Sequence, residues 1–149
     1  MKAAAARVAI LLCTFGLCVI AVHPSSAKPQ TEADHVRRAL ELQQQGDMDG
    51  VIAEYRAALQ LNPNNASEHH NLGVALSRKG DLDGAIAELK VAVRMEPDSA
   101  KAHYTLGAVL EKKGDLKSAL EEYRRASQLE PSNGDIRRAY ESVSHKLKP

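Results

Sequence analysis

The chain has 149 residues, 44% of them hydrophobic and 26% charged, with a formal net charge of +1. Near-neutrality gives no support to non-specific nucleic-acid or membrane binding. One Phe, four Tyr and no Trp are too few for a base-stacking platform.

Residues 1–27 read as a targeting segment. Lys2 and Arg7 make a positive start, and Val8 to Val22 is an apolar run broken only by Thr14 and Gly16. Ser25, Ser26 and Ala27 then supply the small residues that a signal peptidase accepts. The run falls short of the roughly 20 apolar residues that span a bilayer. A cleaved export signal is therefore expected, with a periplasmic or secreted product; the alternative is an uncleaved membrane anchor. Cleavage after Ala27 removes both cysteines, Cys13 and Cys18, so the mature chain forms no disulfide. Leu12 and Leu17 precede these cysteines, where a lipidation site would carry a small residue. Loss of Lys2 and Arg7 leaves 18 basic residues against 19 acidic ones, a formal charge of −1.

After a short flexible lead at 28–31, the chain repeats itself every 34 residues. Gly46, Gly80 and Gly114 keep that step, each followed by Asp, and Pro63, Pro97 and Pro131 keep it too. Such a period marks units that cannot bury their own apolar faces and stack on their neighbours instead. Three helix–turn–helix units are expected at 32–65, 66–99 and 100–133.

The middle unit shows the pattern most clearly. A helix over Ala66 to Lys79 places His69, Leu72, Gly73 and Leu76 on one face. Gly80 ends it in a left-handed conformation and Asp81 caps the next helix. That helix, Leu82 to Met95, turns Ala85, Ile86, Leu89, Ala92 and Val93 inward and leaves Glu88, Lys90 and Arg94 for water. Pro97 stops it, and Ser99 caps the third unit. Gly73 and Gly107 each cost about 1 kcal/mol within a helix, which a close approach of two helices would justify.

At these residues the chain resembles the tetratricopeptide repeat, whose pattern is W-x2-L-G-x2-Y, A-x3-F and P. The middle unit has His69-x2-Leu72-Gly73-x2-Leu76, Ala85-x3-Leu89 and Pro97; the third has His103-x2-Leu106-Gly107-x2-Leu110, Ala119-x3-Tyr123 and Pro131. The first is worn: His35-x2-Arg38-Ala39-x2-Leu42, Val51-x3-Tyr55 and Pro63. Arg38 replaces an apolar residue, as suits a terminal unit with water on one side. The resemblance implies an all-α, right-handed α-solenoid. Residues 134–149 then supply a lone capping helix and tail, with Ile136, Ala139, Tyr140 and Val143 as its apolar stripe and Arg137, Arg138, Glu141 and Lys146 outside.

The resemblance also places a binding surface on the concave face of the first helices. Helical spacing assigns to it Ala33, Val36, Arg37, Leu40 and Gln44 in the first unit, and Ser67, His70, Asn71, Val74 and Arg78 in the second. The third contributes Lys101, Tyr104, Thr105, Ala108 and Lys112. This set contains four basic residues and no acid, which points to a protein or peptide partner with acidic residues. A subfamily that holds terminal carboxylates of chaperone tails uses Lys and Asn clamp residues. Asn71 and Lys101 occupy two of those places, but Val36, Leu40 and Thr105 occupy three others, so the clamp is incomplete.

His35, His69 and His103 recur at one place in every unit, with His70 adjacent. Stacked equivalents lie roughly 8–10 Å or more apart, too far to share an ion that needs nitrogens at about 2.1 Å. They are expected to fill the packing place of the motif's Trp, with no metal and no cofactor bound. Catalysis lacks a nucleophile setting, and the acidic residues fall mostly at turns or outer faces. Asn65-Ala66-Ser67 matches a glycosylation acceptor formally, at a helix start. The expected role is non-catalytic binding of a peptide or partner segment in the groove, with no small-molecule substrate. The rival is a cell-envelope assembly scaffold that acts by self-association or through its convex face.

Overall fold

A computed structural model describes residues 31–148; the expected signal segment 1–27 and residues 28–30 of the lead lie outside that range. Seven α-helices of 14 residues each fill it, with no strand among the described residues. They are α1 (Glu32–Gln45), α2 (Met48–Leu61), α3 (Ala66–Lys79), α4 (Leu82–Met95), α5 (Ala100–Lys113), α6 (Leu116–Leu129) and α7 (Gly134–Leu147).

Each boundary has a local cause. Thr31, Asn65, Ser99 and Asn133 cap the first helix of each pair and α7, accepting hydrogen bonds from backbone N–H groups of the first turn. Asp47, Asp81 and Asp115 do the same for the second helices. Gly46, Gly80 and Gly114 close α1, α3 and α5 at φ of +78°, +96° and +92°, where a Cβ would be strained. Asn65 is itself committed to this work, taking the N–H groups of Ser67 and Glu68 while its amide donates to Glu32 at 2.5 Å.

Each helix packs on the next, so the chain is an all-α solenoid of antiparallel hairpins. Ala39, Leu42, Val51, Ile52, Tyr55, Leu72, Leu76, Leu89, Leu106, Leu110, Tyr123 and Val143 form one continuous core through all units. Two of the helical glycines, Gly73 and Gly107, lie where a first helix meets the second helix of its hairpin. A Cβ on Gly73 would stand 2.7 Å from Leu89 Cγ and 3.1 Å from the Ala85 carbonyl oxygen; one on Gly107 would stand 2.8 Å from the Tyr123 ring. No helix among the described residues is long and apolar enough to cross a membrane.

The aligned histidines do more than fill space. His35, His69 and His103 each bring Nδ1 to a carboxylate 19 residues on, Glu54, Glu88 and Glu122, at 2.6, 2.7 and 2.7 Å. In the second and third units Nε2 also faces the carbonyl oxygen of Pro63 or Pro97 in the preceding turn, at 3.1 and 3.0 Å. Each of those two rings thus ties its own hairpin to the unit before it. Glu88, expected to lie free in water, is instead half-buried and paired with His69, because α3 and α4 bring the two together.

Candidate partner-binding groove

Two bridges set the geometry of the first helices. His70 Nε2 lies 3.1 Å from Thr105 Oγ1 near the start of α3 and α5, and Lys112 Nζ donates to the Ser77 carbonyl oxygen at 2.8 Å near their ends. Both links carry an offset of 35 residues, so α3 and α5 run parallel and in register. These first helices touch one another, whereas the second helices α4 and α6 have no comparable contact. First helices that are closer together than second helices put the first helices on the inside of the curve.

On that inner face Val36, Asn71, Val74, Tyr104, Thr105 and Ala108 are half-buried, and Arg37, Leu40, Arg78, Lys101 and Lys112 are exposed. Leu40 is the most open apolar side chain among them, at 49% exposure. The Tyr104 ring lies tilted against Tyr123, with centroids 5.6 Å apart, so its position is held from beneath. His70 departs from the expectation of an accessible polar group, since it is buried between α3 and α5. The Thr105 hydroxyl spends its one proton on the Lys101 carbonyl oxygen, at 2.8 Å, and therefore accepts from His70 Nε2–H. Burial first, and the nearby Lys101 charge second, hold the His70 imidazole below the ordinary histidine range.

The charge pattern is more structured than the spacing suggests. Arg37 is paired with Asp34 at 2.7 Å, and Lys112 with the α3 carbonyl already described. Arg78 and Lys101 make neither an ion pair nor a side-chain hydrogen bond with any described residue. An acid does lie at this face: Glu111 receives Lys146 of α7 at 2.7 Å and the Tyr123 hydroxyl at 3.0 Å. The Lys146 hydrogen bond, chiefly, and that of Tyr123 hold its carboxyl below the usual range. The 34-residue step held the clue to this pair, because Lys146 follows Lys112 by one period.

A second acid is an exception to the expectation that carboxylates fall mostly at turns and outer faces. Glu68 is buried beside α1 and α2, with Asn71 Nδ2 at 3.5 Å, and burial raises its pKa. Its place three residues into α3 gave no warning, since capping explains an acid there equally well. Among the described residues no group of His, Cys, Asp and Glu is arranged to hold a metal ion.

Comparisons with known proteins agree with this architecture. A family model described as tetratricopeptide repeat matches residues 70–135, and one described as TPR repeat matches residues 39–80. A comparison with curated proteins finds no significant match. Similar solved structures include the first TPR of Spaghetti (RPAP3) bound to the HSP90 peptide SRMEEVD, at 23% identity and a TM-score of 0.75, covering 80% of this chain and 95% of that one. The Arabidopsis OM64 TPR domain follows at 20% identity and 0.73, covering 78% and 97%. The MamA protein, at 26% identity and 0.73, covers 78% and 63%. The repeated helix pairs, their caps and the matching family models together establish that this chain belongs to the tetratricopeptide repeat family, a family of protein-interaction modules.

Proposed function

We propose that this chain is a non-catalytic interaction module that binds a peptide or partner segment along the inner face of α1, α3 and α5. The observation that carries this reading is the pair of cations without a side-chain partner, Arg78 and Lys101, on a face where Arg37 is ion-paired, Lys112 is tied to a neutral carbonyl and Lys146 is paired with Glu111. Val36, Leu40, Val74, Tyr104 and Ala108 would supply apolar contact, Asn71 polar contact to the partner's backbone, and Thr105 one remaining acceptor lone pair for a partner N–H. Arg37 would add weaker steering, since it is paired with Asp34, and Lys112, held by a neutral carbonyl, would keep its charge for the partner. A solved relative carries a bound peptide, which is consistent with this use of the fold.

Capture of partners by the wild type and by the Arg78→Glu/Lys101→Glu protein tests the reading. The charge-reversed protein should retain its helicity and melting temperature and lose the wild-type partners. An unchanged partner set moves the site to the convex face or to self-association. We further propose that the module acts after export and cleavage; the native protein should then have the mass of residues 28–149, and the mass of the intact chain would refute cleavage in favour of the uncleaved anchor.

A further inference from the structure

The register of α3 and α5 turns the two free cations into a ruler. Arg78 lies in the last turn of α3, and Lys101 in the first turn of α5, level with Ser67. Eleven residues of helix separate those levels, about 16 Å along the axis at 1.5 Å per residue. Neighbouring helices add roughly 9 Å across. The two backbone positions are therefore about 19 Å apart, on opposite rims of the groove.

Between them the floor is polar as well as apolar. Asn71 and Thr105 alternate with Val74 and Ala108, all half-buried. A helical ligand uses its backbone N–H and C=O groups internally, whereas an extended one presents them for bonding. A floor that offers the Asn71 amide and the remaining acceptor site of the Thr105 hydroxyl therefore suits an extended chain.

Building on the groove reading, we infer that the partner is an extended segment with two acidic side chains about five to six residues apart, one meeting Arg78 and the other Lys101, at a rise of roughly 3.3 Å per residue. The residues between the acids are small or apolar, facing Val74 and Ala108. The end of the groove at α7 takes neutral residues, because Lys146 and Glu111 neutralise each other there.

Two fluorescent peptides of identical composition test this by anisotropy at low salt. Both carry two Asp in a Gly, Ser, Ala and Val background, adjacent in one and about six positions apart in the other. The spaced peptide should bind about threefold more tightly, within the range of two exposed ion pairs. Arg78→Gln and Lys101→Gln should each remove that preference. Equal binding of both peptides, weakened alike by the two substitutions, would overturn the spacing and leave the groove reading intact. Binding of neither peptide would also overturn the spacing, while the charge-reversal capture decides the groove reading separately.

Discussion

His69 and His103 each join three parts of the stack through one ring, and the acid partner comes from the opposite helix of the same hairpin. Their recurrence every 34 residues was legible in the chain, as was their structural role. Their carboxylate partners were not, because helical spacing orders residues within one helix and is silent about what the antiparallel helix brings opposite. His70 illustrates the same gap. Spacing put it on the groove face, yet the approach of α5 buries it against Thr105. Its depressed pKa has a consequence for stability. The folded state holds the His70 proton less readily than the unfolded chain, so the contribution is complete above about pH 6.5 and is lost as pH falls through the lower folded value. Lys101 and Glu96 face this ring with opposite effects, and Lys101 has the larger one. Glu68 works in the other direction, because its raised pKa means its burial cost is relieved as pH falls. Melting temperatures at about pH 7.5 and 5.5 should therefore drop more for the wild type than for His70→Gln, a comparison in which Glu68 and the other histidines are common to both. Parallel drops would show that His70 is not an acid-sensitive point.

At the scale of the helix, local chemistry and packing agree. The Asp caps, the left-handed glycines and the prolines set the bounds of α3 and α4 where the chain's punctuation puts them. The period was legible for the same reason, since turn and cap residues act on their own neighbours. Gly73 belongs to a different order of cause. Its missing Cβ leaves room for Leu89 and the Ala85 carbonyl, while Ala39 fills the equivalent place in the first unit with a methyl. Gly73→Ala gains about 1 kcal/mol in helix propensity and loses about 1–3 kcal/mol to overpacking. A net loss of about 1 kcal/mol is expected, visible as a lower urea midpoint at constant slope. A midpoint at or above the wild type would mean that α4 moves aside freely.

At the scale of the whole molecule, α7 follows the third hairpin and has no second helix packed on it among the described residues. Glu141 of α7 stands one period after Gly107, where the other first helices carry Gly or Ala to receive a second helix. An exposed carboxylate there suits water and opposes further stacking, while Ile136 and Val143 bury the other side against the preceding unit. α7 thereby caps the core and brings Lys146 to Glu111. The cap was legible from its apolar stripe; its effect on groove charge was not, because it depends on two long side chains meeting across helices. What remains unpaired, Arg78 and Lys101, forms the basis of the binding account. The most direct test is to titrate a captured partner segment into the isotopically labelled protein and map the backbone amide shifts. The account predicts perturbations concentrated in α1, α3 and α5, with the largest near Asn71, Arg78 and Lys101. Perturbations confined to α2, α4 and α6 would contradict it.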